Sequence, residues 1–159
     1  MSLGPLRADA AGSRLETVAG YGCRFRRTGV ELESPADGVA VLLWPDVRSI
    51  RVEAPVRHRW VRAAPEIGLS LLSFELGGVR SRDLLVRITG PRGDRPLLDL
   101  GPVGPYGWRA AVAVEALFQA LSERAALPAL GDPAAAAALV AAATGVRRRG
   151  VGAAVDAVL

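Results

Sequence analysis

The chain contains no lysine and no asparagine, so all 20 of its basic residues are arginine. Histidine and cysteine occur once each, at His58 and Cys23. A single thiol excludes an internal disulfide, and one cysteine with one histidine leaves too few ligands for a zinc site. The absence of lysine removes the residue that a phosphate-binding P-loop needs, and no Gly-x-Ser-x-Gly elbow occurs to present a hydrolytic serine. No apolar run reaches 18 residues, and Met1 to Arg14 lacks the apolar core of a signal peptide. These absences lead to the expectation of a soluble, cytoplasmic protein with no transmembrane segment, no metal, no cofactor and no catalytic constellation.

What is present points to a folded core. Half of the 159 residues are apolar, and a chain of this length buries roughly 70% of its unfolded surface without help from metal or disulfide. One domain, or one domain with an appendage, is expected. Arginine dominates alongside abundant alanine, glycine, valine and proline, a bias that reads as codon usage in a GC-rich genome. The net charge of +4 is modest, and the arginines are spread along the whole chain. Most of them read as a solvated face.

Residues 1–14 carry scattered charge and turn formers without periodicity, and are expected to form a flexible leader. From Leu15 a two-residue rhythm begins. Cys23 and Phe25 alternate with Arg24 and Arg26, then Val30 and Leu32 with Glu31 and Glu33, each the mark of a half-buried strand. Ser34-Pro-Ala-Asp-Gly38 is turn chemistry. Val39 to Trp44 is an apolar run of strand length, broken by Pro45. Further strands are expected over Ser49 to Glu53, Val56 to Val61, Leu69 to Leu76, Leu84 to Ile88 and Pro96 to Leu100, about seven in all.

After Gly101-Pro-Val-Gly-Pro105 the period changes. Val112, Val114, Leu117, Phe118 and Leu121 share one stripe of a helix expected from about Gly107 to Ala126. Asp132-Pro133 has the form of a helix cap with proline in the first turn, and Gly145 of a left-handed stop. The intervening alanine-rich run favours helix but offers little to bury. Residues 128–159 therefore read as a helical appendage or tail following a domain over 15–127. Such a helix either packs on the domain or engages a partner.

A run of strands closed by one amphipathic helix describes an α+β protein of mostly antiparallel strands. That order, with Val41-Leu-Leu-Trp-Pro-Asp-Val-Arg-Ser-Ile-Arg-Val52, resembles the pleckstrin-homology-like domains of bacterial proteins over about residues 20–126. The resemblance implies a small barrel or two orthogonal sheets with the helix across one end, in a superfold whose members mostly bind lipid headgroups, peptides or proteins. The basic first-hairpin motif that grips inositol phosphates in eukaryotic members is not matched: Arg24, Arg26 and Arg27 are followed by Glu31 and Glu33. No phosphoinositide site carries over.

Each reactive residue has a plain structural reading. Cys23 shares the core face with Phe25 and reads as a packed thiol. His58, flanked by Arg57 and Arg59, sits where a positive field lowers its basicity. Asp94 belongs to a turn and Asp99 to the strand after it. Gly101 to Gly107 contains two prolines that remove the donors a phosphate cradle needs, so it reads as a rigid connector. Arg57, His58, Arg59, Trp60 and Arg62 form the densest basic-aromatic cluster, and Arg147, Arg148 and Arg149 a second basic run. Both could touch phosphate or stack a base. The expectation is a noncatalytic binding or scaffolding module that engages a protein partner or a second copy of itself. The alternative is a weak arginine-mediated binder of nucleic acid or anionic surfaces.

Overall fold

The structure is a computed structural model that describes residues 1–16, 22–34, 38–53, 83–91, 93–94, 98–102, 106 and 108–159. It is an α+β fold in which every described strand pairing is antiparallel. Six strands follow one another in space as in sequence: β1 (Ser2–Leu3), β2 (Leu6–Asp9), β3 (Gly12–Glu16), β4 (Gly22–Arg26), β5 (Gly29–Ser34) and β6 (Gly38–Leu43). A one-turn 3₁₀ helix at Trp44–Asp46 leaves this sheet, as Pro45 requires. A second sheet holds β7 (Ser49–Glu53), β8 (Asp83–Gly90) and β10 (Leu98–Pro102) in the order β10-β8-β7, with the short β9 (Gly93–Asp94) also on β8.

The alternation read from the sequence maps onto burial. On the inner face of the first sheet, Leu6, Leu15, Cys23, Phe25 and Val30 are fully buried, while the residues between them reach solvent. Ile50 and Val52 of β7 and Leu84, Val86 and Ile88 of β8 do the same in the second sheet. Helix α1 (Trp108–Glu123) brings Val114, Leu117, Phe118 and Leu121 to both, and all belong to one core cluster. The Phe25 and Phe118 rings meet with centroids 5.4 Å apart, tilted by 51°, within the range that favours aromatic pairs. Ser122, near the end of α1, donates to the Ile50 carbonyl at 3.1 Å and pins the helix to β7.

Three expectations are corrected. Residues 1–14 are not a leader: they form β1, β2 and the start of β3, and Leu3 and Leu6 are buried. The rhythm was hidden because these strands are only two and four residues long and because Ala8 holds a core-side position with a small side chain. The first sheet does not close into a barrel. Among the described residues each of its strands pairs only with its sequence neighbours, so the sheet ends at β1 and β6. The strands expected over Val56 to Val61 and Leu69 to Leu76 lie outside the described residues.

The third correction concerns residues 128–159, which are core rather than appendage. Helix α2 (Pro133–Ala143) lays Ala136, Leu139, Val140 and Ala143 against the first three strands, all essentially without exposure. The spacing i, i+3, i+4, i+7 makes this a proper stripe, and the alanines within it let the helix come close. Its first turn is capped by Asp132, whose Oδ1 accepts from the backbone amides of Ala134 at 3.0 Å and Ala135 at 3.1 Å. The short α3 (Val151–Asp156) buries Val151 and Val155 and is tied back to α1 by Arg124, which donates to Asp156 Oδ2 at 2.9 Å.

The 3₁₀ turn Leu127–Gly131 between α1 and α2 crosses closely over the C-terminal end of β4. A Cβ on Gly131 would stand 2.1 Å from the Arg26 carbonyl oxygen, so no larger residue fits there. Ser13 donates to the Leu130 carbonyl at 2.9 Å in the buried interior, satisfying both groups.

Candidate functional site

The outer face of the first sheet is built from the residues the inner face leaves over. Arg7, Arg14, Arg24 and Glu31 stand directly opposite one another on β2, β3, β4 and β5. Three like charges in a row would repel. Glutamates one step along the strands relieve this: Glu16 lies 3.4 Å from Arg7 and 3.0 Å from Arg14, and Glu33 lies 3.1 Å from Arg14 and 3.2 Å from Arg24. Glu31 takes Arg26 at 3.1 Å. Among the described residues the Nε groups of Arg14 and Arg24 find no acceptor, a cost of laying two guanidinium groups side by side on adjacent strands. The ladder is closed on itself: both carboxylates of β5 are already held by arginines.

One strand further on, the charge stops. The same rows end on β6 at Val41, opposite Glu31, at Val39, opposite Glu33, and at Leu43, opposite Gly29. These three aliphatic side chains are 64%, 57% and 51% exposed for Val39, Val41 and Leu43. On the inner face of the strand only Leu42 packs against the core. Strand β6 is also the last of its sheet, so among the described residues its outer edge pairs with no strand. Edge strands are usually protected by charge, proline or a bulge. Gly38 to Leu43 contains no charged residue and no proline, and its register with β5 is unbroken.

The C-terminal end of this edge is held. Trp44, just beyond β6, donates from its indole nitrogen to the Arg26 carbonyl at 2.9 Å, and its backbone amide donates to the Thr28 carbonyl. The edge is thus a six-residue strand in unbroken register with β5, fixed at its C-terminal end.

The residues singled out from the sequence fall in three places. Arg57, His58, Arg59, Trp60 and Arg62 lie outside the described residues, as do the side chains of Asp94 and Asp99. Arg147, Arg148 and Arg149 are exposed on the turn between α2 and α3; Arg148 lies 3.7 Å from Glu115. Cys23 is fully buried between Leu15 and Leu32 on the neighbouring strands, and burial, with a smaller contribution from Glu33, pushes its thiol up to about 12. A thiol so resistant to ionisation is a packing group, as the strand alternation indicates. Among the described residues no group of three His, Cys, Asp or Glu side chains could hold a metal ion. No described helix is long and apolar enough to cross a membrane.

The β6 stripe escaped the sequence reading because every residue from Gly38 to Leu43 is small or apolar, so polarity marks neither face. The one signal available was the absence of any charge on a strand flanked by Asp37 and Asp46.

No family model, no curated protein and no solved structure matches the chain.

Proposed function

We propose that this protein is a noncatalytic, cytoplasmic scaffolding module that self-associates by pairing β6 with β6 of a second copy. The observation that carries the reading is the uncharged, exposed aliphatic edge formed by Val39, Val41 and Leu43. About a twofold axis through Val41, an antiparallel pair sets Val41 opposite Val41 and Val39 opposite Leu43, so the stripe is its own complement. The backbone groups of this edge, which no described strand pairs, gain a ladder of partners, and aliphatic pairs across it add to the association. Charge favours a second copy too, because Glu31 and Glu33 are already neutralised within the sheet and two copies meet without opposed like charges.

This differs from the motive first suggested by the alanine-rich tail, whose apolar side is occupied by the first three strands. The pleckstrin-homology-like likeness remains our reading of the element order, two antiparallel sheets followed by an amphipathic helix. It supports a binding role by analogy only. The noncatalytic reading is supported by the packed Cys23 and by carboxylates engaged in ion pairs.

Sedimentation velocity on the full chain tests the proposal. We expect a dimer that dissociates on Val41→Lys with the circular dichroism spectrum retained. A monomer at all accessible concentrations, or a dimer indifferent to Val41→Lys, removes the reading. The rival, an arginine-mediated binder of nucleic acid or anionic surfaces, draws on the exposed Arg147, Arg148 and Arg149. It requires association that weakens steeply with salt, whereas strand pairing by aliphatic residues is nearly salt-independent.

A further inference from the structure

At the opposite end of the first sheet, a cleft of about 900 Å³ opens between the β1–β2 turn, the first turns of α1 and the C-terminal end of α2. Its size is that of a small-molecule site. The apolar part of its lining comes from Leu3, Val112, Ala113, Ala143 and Val146. Its charged part is three arginines, Arg109, Arg147 and Arg148, and among the described residues no carboxylate lines it. Arg109 and Arg147 make no ion pair with any described residue, and Arg148 has only the long contact to Glu115 at 3.7 Å.

The local backbone fits the same charge. Arg109 stands in the first turn of α1, where the helix end carries partial positive charge. At the end of α2, two of the last four carbonyls are taken up: Val140 accepts from the Thr144 amide at 3.1 Å and from the Thr144 hydroxyl at 2.6 Å, and Ala141 accepts from the same amide at 3.1 Å. Gly145, at φ +82°, turns the chain away, and a side chain there would meet nothing within 4 Å, so this wall of the cleft stays open.

We propose that this cleft binds an amphipathic organic anion, with its phosphate or carboxylate held by Arg109, Arg147 and Arg148 and its apolar body laid on Val112 and Val146, the apolar lining residues that reach solvent. Guanidinium forks match such head groups in geometry and charge, and the apolar floor selects against a bare inorganic ion. The site lies at the β1 end of the sheet and does not depend on pairing at β6.

Isothermal titration of the full chain with monomeric decyl phosphate tests this, with decanol and inorganic phosphate as the two halves of the ligand. Decyl phosphate is expected to saturate one site per chain, at least about tenfold more tightly than either half. The double variant Arg109→Ala/Arg147→Ala, both exposed positions, should lose about tenfold or more for decyl phosphate and leave decanol unchanged. Equal binding of decanol, or full affinity in a double variant whose circular dichroism is native, overturns the proposal. Binding to phosphatidylglycerol vesicles without binding of monomeric decyl phosphate also overturns it, since that would be a surface effect of the arginines.

Discussion

The two ends of the first sheet are treated in opposite ways. At β1, helices α1 and α2 pack over the strand and bury Leu3 and Leu6. At β6, nothing described covers the edge, and three aliphatic side chains stand in solvent. Between them runs a ladder of ion pairs that keeps the outer face polar from β2 to β5. One meander therefore has one end covered from within the chain and the other uncovered among the described residues. The tail is what finishes the first end, and its absence from the second gives β6 its proposed role.

The largest expected effect comes from removing the finished end. Deletion of residues 132–159 strips Leu139, Val140, Val151 and Val155 from the core, and circular dichroism should show an unfolded or collapsed chain. A folded, cooperative truncated monomer would mean that the cover over β1 is dispensable. Next, Leu139→Ala, fully buried on α2, is expected to cost about 2–5 kcal/mol in urea denaturation. A loss below about 1 kcal/mol would mean α2 is loosely seated. Val41→Lys should leave the urea midpoint of the monomer nearly unchanged while raising the dimer dissociation constant by about tenfold or more, since two lysines would face each other across the twofold axis.

The next expectation concerns pH. Asp132 is held below the usual carboxylate range by the amides of Ala135 and Ala134 and by Arg27, and Asp156 by its hydrogen bond and charge interaction with Arg124. Both are carboxyls with depressed folded values, so their contribution is present above the unfolded value of about 3.9 and is lost as pH falls through the lower folded values. The thermal midpoint should be flat from neutrality to about pH 5 and fall below about pH 4. Asp132→Asn with Asp156→Asn should flatten that acid limb, and an unchanged limb would place the acid sensitivity elsewhere. The smallest effect belongs to Arg7→Ala at the exposed end of the ion-pair ladder. It is expected within about 0.5 kcal/mol of wild type in the same denaturation assay.

Much of the fold could be read in advance, for reasons visible in particular residues. Cys23 and Phe25 against Arg24 and Arg26, or Ile50 and Val52 against Arg51 and Glu53, have clean alternation, and their strands lie where the alternation places them. Asp132-Pro133 and Gly145 bracket α2 closely, because cap and stop chemistry is local. What escaped was tertiary. Nothing within Ala134 to Ala143 reveals that β1, β2 and β3 offer a surface for alanine to approach. Leu3 and Leu6 sit in strands too short to show a period. The candidate site was hardest of all, since an exposed apolar edge and a buried apolar strand have the same composition, and only the order of strands distinguishes them.

The most direct test is amide hydrogen exchange at the residues of β6 that β5 leaves unpaired, followed as protein concentration rises. If β6 pairs with β6, protection at those amides grows with concentration while the amides of β3 and β4 stay constant, and Val41→Lys abolishes the growth. Fast exchange at that edge, unchanged from dilute to concentrated protein, would contradict strand pairing.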